Sequence, residues 1–323
     1  MTADNKVAHR STPVNVVIVT MDTHLASATD RARIRLLRQI PGLKLTLHAA
    51  SEWGANPGGL QRCIRDIEDA DIIIAAMLFL EDHFLPVLPA LEARREHCDA
   101  LVCAMSATEV VSLTSLGNFD MKKPVTGPMA LIKRLRGDKK KAASGGAAQM
   151  KMLRRLPKIL RFIPGKAQDM RVYFLTLQYW LGGSEENMHN LIRLLIDRYG
   201  KGPRAGLCDN ELIPEPEEYP ELGVYHPKMK GRLSEQLDHL PTPADSSNGT
   251  VGVLMLRSYL LSGNSSHYDG VIAALEARGM KAIPAFSAGL DARPAIDKFF
   301  MKDGVATVDA VVSLSGFSLV GGP

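Results

Sequence analysis

Acids and imidazoles recur just after short apolar runs of this 323-residue chain. Asp22 and His24 follow residues 14–20, Glu81, Asp82 and His83 follow 71–76, and Ser106 and Glu109 follow 99–104. Carboxylates and imidazoles together could bind a divalent cation or pass protons, although Asp82 would serve equally as a helix cap. Glu185 and His189 are four apart, so on a helix they share a face from which both could reach a metal. Two ligands do not make a zinc site, and Glu185 with Glu186 in a first turn simply suits the positive end of the helix dipole. Ser262-Gly-Asn-Ser-Ser-His267 offers amides and hydroxyls that could hold an anion or only cap a helix. His226 precedes Pro227, which imposes an extended backbone. No Walker A sequence occurs, and the nearest glycine cluster, Gly200-Lys-Gly-Pro-Arg-Ala-Gly206, follows a helical pattern where a phosphate cradle needs a strand.

The total charge of +4 is bland, from 39 Lys and Arg against 35 Asp and Glu. Between Lys122 and Arg171, however, stand 15 Lys and Arg and two acids, Asp138 and Asp169, an excess of 13 that leaves −9 on the rest. Lys139, Lys140, Lys141, Arg154 and Arg155 are the anion candidates of this block, for an acidic lipid surface or a carboxylate-bearing ligand. Phe162 is the one aromatic between Lys122 and Tyr173, so bases would find nothing to stack on and no nucleic-acid partner is expected. Met150, Leu153, Leu156, Ile159, Leu160 and Ile163 give 149–163 an apolar side, interrupted at Pro157, that could lie on a membrane surface or on the protein's own core.

At 46% hydrophobic and 23% charged, the chain is neither disordered nor a disulfide-stapled module, and its length predicts about two domains. Residues 14–20, 43–48, 71–76 and 99–104 are apolar without alternation, as parallel strands buried on both faces should be. Between them 25–39, 58–69, 82–97 and 106–116 read as helices, with Thr23, Asp82 and Ser106 as caps. The pattern predicts a doubly wound α/β domain over 1–120. A basic helical segment follows over 121–171, with the small-residue spacer 142–148. A connector over 172–248 then holds a helix capped by Ser184 and closed by Gly200, and an extended acidic loop over 209–221. After the breaker cluster at 241–249, strands at 251–256, 281–285 and 309–314 and helices at 267–278 and 292–301 start a second α/β unit over 249–323. That unit stops at its third strand, which predicts an exposed sheet edge and a fragment or a missing partner. Cys63, Cys98, Cys103 and Cys208 form no C-x-x-C pair and suit a reduced, cytosolic chain. Residues 1–12 lack the apolar core of a signal peptide, and no apolar run approaches the ~20 residues of a membrane span.

The segment Tyr179-Trp-Leu-Gly-Gly-Ser-Glu-Glu-Asn-Met-His-Asn-Leu-Ile-Arg-Leu-Leu-Ile-Asp-Arg-Tyr-Gly200, with Gly223-Val-Tyr-His-Pro-Lys-Met229 and the terminal Ser313-Leu-Ser-Gly-Phe-Ser-Leu-Val-Gly-Gly-Pro323, resembles the large, porphyrin-binding H subunits of magnesium chelatases. The cobalt-inserting large subunits of cobalamin synthesis are relatives, while residues 14–120 resemble the amino-terminal domain typical of the magnesium enzymes. The opening residues do not read as a plastid transit peptide, so the likeness is expected to be to the forms of bacteriochlorophyll-making bacteria. The resemblance implies insertion of Mg2+ into protoporphyrin IX, with ATP hydrolysed by two AAA+-type partner subunits, I and D, which agrees with the missing P-loop. It also implies that the porphyrin enclosure and its catalytic acids and histidines lie largely beyond residue 323, so no catalytic residue is carried onto this chain, no cofactor is expected on it, and it is expected to be inactive alone. The competing reading is a non-catalytic α/β binding module whose basic arm holds an anionic ligand or a membrane surface.

Overall fold

Residues 14–20 become a strand because their valines and isoleucine find an apolar layer on each face. Val14, Val16 and Ile18 enter one core and Val17 and Val19 the other, so a helical layer must cover each face. The computed structural model describes residues 11–123, 155–208, 212–241, 248–289, 291–316 and 318–320. The chain divides into two units, 1–217 and 218–323.

In the first unit, β1 (Val14–Thr20), β2 (Leu43–Ala49), β3 (Ile72–Ala76) and β4 (Ala100–Ala104) are parallel, and β5 (Ser115–Leu116) and β6 (Phe119–Asp120) add an antiparallel hairpin. The order is β2-β1-β3-β4-β5-β6, so the winding direction changes between β1 and β3. One face is covered by α1 (Ala26–Gln39), α6 (Lys166–Gly182) and α7 (Glu185–Tyr199), the other by α2 (Pro57–Asp69) and short helices.

Three sequence expectations fail locally. The helix expected over 82–97 is two pieces, α3 (Glu81–Phe84) and α4 (Leu88–Arg94), because Pro86 and Pro89 cannot donate to the preceding turn. The helix expected over 106–116 shrinks to α5 (Thr108–Val111) before the hairpin begins. Of the expected caps, Thr23 gives only its carbonyl, to the Ala26 amide, and Asp82 lies inside the first turn of α3. Ser106 instead accepts the Leu78 amide at 3.0 Å and so ties the ends of β3 and β4 together.

Helix α6 shows little helical period in its sequence because most of its circumference is buried. Met170, Val172, Tyr173, Leu175, Leu177, Tyr179 and Trp180 are all buried, which narrows the polar face that marks a surface helix to Gln168, Arg171 and Gln178. Helix α7 shows the expected period, and Ser184 caps it by accepting the Asn187 amide at 3.2 Å. Residues 155–160 are helical with Pro157 among them, while 124–154, most of the basic block, lie outside the described residues.

The second unit has the order β13-β9-β10-β7-β8. β9 (Thr250–Leu256), β10 (Lys281–Ser287) and β13 (Ala310–Ser313) are parallel, with α8 (Arg257–Leu261), α9 (Ser266–Glu276) and α10 (Arg293–Phe299) between them. β7 (Leu222–Tyr225) and β8 (Leu233–Ser234) extend the sheet antiparallel on the other side. β11 (Met301–Lys302) and β12 (Val305–Ala306) form a separate ribbon. β13 is an edge strand exposed at all four positions.

Candidate functional site

The carboxyl ends of β1, β3 and β4 are the ligand position that this topology favours. Thr20, Ala76 and Ala104 lie in register, so the next residues out form a row of three methionines, Met21, Met77 and Met105. Met77 and Met105 turn the chain with φ of 63° and 46°, a left-handed conformation that costs energy in a residue with a side chain.

Of the residues expected here, the structure brings together only Asp22 and His24. The Asp22 carboxylate accepts the His24 amide at 3.1 Å and is hydrogen-bonded to its Nδ1. Burial pushes the Asp22 carboxyl up, but the hydrogen bonds and charge of His24 outweigh it and hold the group below the usual carboxylate range. The His24 ring is buried and meets Trp180 of α6 edge-to-face at 6.3 Å between centroids. This is an oriented imidazole, able to act as a base or as a ligand through Nε2. Glu81, Asp82 and Glu109 are exposed and their side chains make no hydrogen bond or ion pair among the described residues. His83 Nδ1 is buried without a hydrogen-bond partner.

Glu185 and His189 are not brought together. Glu185 accepts from Arg31 of α1 at 2.9 Å, whereas His189 is buried and reaches the Asn190 side chain at 3.3 Å. Burial and the Arg35 and Arg193 charges push the His189 imidazole down, which keeps it neutral. Among the described residues no group of three or more His, Cys, Asp or Glu could hold a metal ion.

In the second unit Ser265 of the 262–267 loop is already engaged, accepting from Tyr225 at 3.0 Å and Arg232 at 3.3 Å. His226 is buried against Glu276 at 2.8 Å, so its role goes beyond a turn before Pro227. Of the anion candidates, Arg155 is exposed, and Lys139, Lys140, Lys141 and Arg154 lie outside the described residues. The 200–206 glycine cluster is anchored to the sheet, with Arg204 Nε donating to Asp99 at 2.8 Å. No helix among the described residues is long and apolar enough to cross a membrane.

Comparison with known proteins divides the chain in two. Residues 15–174 match a domain of unknown function (DUF3479), and 177–323 match CobN/Magnesium Chelatase. The H subunit of magnesium chelatase from Cereibacter sphaeroides is 48% identical over 309 residues, 96% of this chain. Residues 177–323 belong to the CobN/magnesium chelatase family. The corresponding H subunit from Rhodobacter capsulatus is 45% identical over 320 residues, 98% of this chain. The chain spans 26% of the length of each of these relatives. A solved structure, the catalytic subunit of cobaltochelatase from Mycobacterium tuberculosis, aligns at 13% identity with a TM-score of 0.42, over 94% of this chain and 18% of that one.

Within the CobN/magnesium chelatase match, the string that begins at Tyr179 has a local physical reading. Gly183 ends α6 with φ of 50°, and a Cβ there would stand 2.8 Å from Leu25 Cδ2. A Cβ on Gly182 would meet the Asn187 side chain at 2.1 Å. That side chain clamps Glu217, donating to its carbonyl at 3.1 Å and accepting its amide at 2.9 Å. Gly-Gly-Ser-x-x-Asn is therefore a helix–helix corner that also holds the extended segment after 211.

Proposed function

We propose that this chain is the amino-terminal part of the porphyrin-binding large subunit of a magnesium chelatase, which inserts Mg2+ into protoporphyrin IX for bacteriochlorophyll or chlorophyll synthesis. The observation that carries the reading is the 48% identity with the H subunit of a magnesium chelatase over nearly the whole chain. Mg2+ and the porphyrin are substrates, and ATP is hydrolysed on two AAA+-type partner subunits, I and D. The complex is cytoplasmic, with peripheral contact at a membrane surface.

The chemistry sets what the whole large subunit must do. It must bend a planar macrocycle, remove two pyrrole protons and dehydrate a hard cation. At the carboxyl ends of the first sheet the Asp22–His24 pair has the form of an oriented base, and no set of ligands for Mg2+ accompanies it among the described residues. The role assigned to this portion is scaffolding, subunit docking and attraction of the porphyrin propionates by the basic block, with Lys139, Lys140, Lys141, Arg154 and Arg155 as the pairing cations.

The test is metal insertion with the partner subunits, ATP, Mg2+ and protoporphyrin IX. The full-length protein is expected to turn over and the 323-residue chain alone to be inactive. Turnover by the chain alone would overturn the placement of the acids and bases elsewhere.

A second reading rests on the 13-charge excess over 122–171: a non-catalytic module that holds an anionic surface. Buried Trp53 and Trp180 report on it. Quenching by porphyrin supports the chelatase reading, and a response to anionic vesicles alone supports the module.

A further inference from the structure

Strand β2 is a seven-residue edge with none of the usual protections. Along one side it pairs with β1 over its full length, and along the other it pairs with nothing among the described residues. It holds no proline or bulge, and its one lysine is occupied, since Lys44 Nζ lies 2.7 Å from Asp66 of α2. The opposite edge of the same sheet ends in the two-residue β6. Natural sheets blunt a free edge or use it.

Beside this edge, between α1 and β2, lies a cavity of about 440 Å3 lined by Ala26, Ser27, Thr29, Asp30, Arg33, Leu45 and Leu47. Thr29 is 4% exposed and its hydroxyl has no hydrogen-bond partner. On the other face of β2 the Thr46 hydroxyl is also buried and unpartnered. The cavity rim carries one acid and one base, Asp30 and Arg33, 2.8 Å apart on α1.

We infer that the free edge of β2 pairs antiparallel with the same edge of a second copy of this chain, about a two-fold axis through Thr46. A two-fold contact must be self-complementary, and this patch meets that demand on each face. The axis sets Leu45 of one copy opposite Leu47 of the other, so the partner's leucines close the cavity floor. The two rims face each other, each Asp30 toward the other copy's Arg33. On the opposite face Thr46 meets Thr46, a β-branched cross-strand pair. Lys44 meets His48, and in each copy one Asp66 carboxylate holds both, Lys44 Nζ at 2.7 Å and His48 Nε2 at 2.9 Å.

The register gives a direct test. Directly opposed residues in an antiparallel pair lie about 4.5–5.5 Å apart at Cβ, so a small local adjustment brings two cysteines within the ~4.5 Å limit of a disulfide, whereas residues displaced along the strand cannot reach. Thr46→Cys is expected to give a disulfide-linked dimer under mild oxidation, and Lys44→Cys, opposed to His48, is not. The four native cysteines are buried and give little background. Sedimentation of the unmodified chain is expected to show twice the monomer mass. Leu47→Lys should restore the monomer with an unchanged circular dichroism spectrum, and Arg33→Asp should weaken the dimer while adding Asp30→Arg recovers it. A monomer at every concentration, equal cross-linking of Lys44→Cys, or a dimer that survives Leu47→Lys would overturn the inference. If Leu47→Lys fails to fold, the cysteine pair decides.

Discussion

The Asp22 carboxylate accepts the backbone amide of His24 at 3.1 Å and binds the Nδ1 of the same residue, so one acid fixes both the turn after β1 and the ring that follows it. An ionised carboxylate can only accept, so Nδ1 carries the shared hydrogen and Nε2 is the ring nitrogen left for another partner. The pair sits where the sheet reverses its winding, with Trp180 against the ring.

Asp22→Asn is expected to lower stability by about 1 kcal/mol near neutral pH, a charged hydrogen bond discounted for partial exposure. Because the folded carboxyl titrates below its unfolded value of about 3.9, its contribution is present above that pH and fades as pH falls through the folded value. Urea midpoints of the two proteins should therefore differ at pH 7 and converge in strong acid. A constant gap at all pH values would remove the carboxylate from the explanation.

At the corner between α6 and α7, Asn187→Ala leaves the amide and carbonyl of Glu217 without their partner. The expected cost is about 1–2 kcal/mol for two part-buried hydrogen bonds, since the backbone of the exposed Glu217 can turn to water. Gly182→Ala should cost a similar amount by displacing the same side chain, and the double variant should cost less than the sum. Denaturant unfolding of the three variants measures the coupling, and strict additivity would separate the two positions.

All four thiols are buried, and burial pushes Cys63 up to about 12 and Cys98 up to about 11, with Cys103 raised further. The folded chain should resist alkylation at pH 8, and four thiols should react once it is unfolded. Rapid labelling of Cys63 or Cys98 in the native protein would contradict their environment here.

Neutralising Lys139, Lys140, Lys141, Arg154 and Arg155 in the full-length protein is expected to weaken protoporphyrin binding and flatten its salt dependence. Affinity and salt slope both unchanged would detach the basic block from the propionates.

Much of the architecture was legible because it is written in local pattern. The strand over Val14–Thr20 is found as expected, and the helix from Ser184 needs only its serine cap and the 3.6 period. Where reading failed, the reason is physical. Helix α6 buries most of its circumference, and with only a narrow stripe at Gln168, Arg171 and Gln178 reaching solvent little period is left to read. The Glu185–His189 spacing permits a shared ligand, yet Arg31 and Arg35 of α1 claim Glu185 and burial neutralises His189.

The sequence by itself determined the α/β class, the positions of most strands and the charge excess over 122–171, since composition and periodicity respond to burial one element at a time. Its long strings also carried the chelatase likeness. Only the tertiary structure decided which polar residues meet. It joined Asp22 to His24 and left Glu81 and Glu109 in solvent, it anchored the 200–206 loop on Asp99, and it set β2 at an open edge beside a cavity. Those outcomes depend on strand order and on contacts between residues far apart in the chain, and no local pattern encodes either.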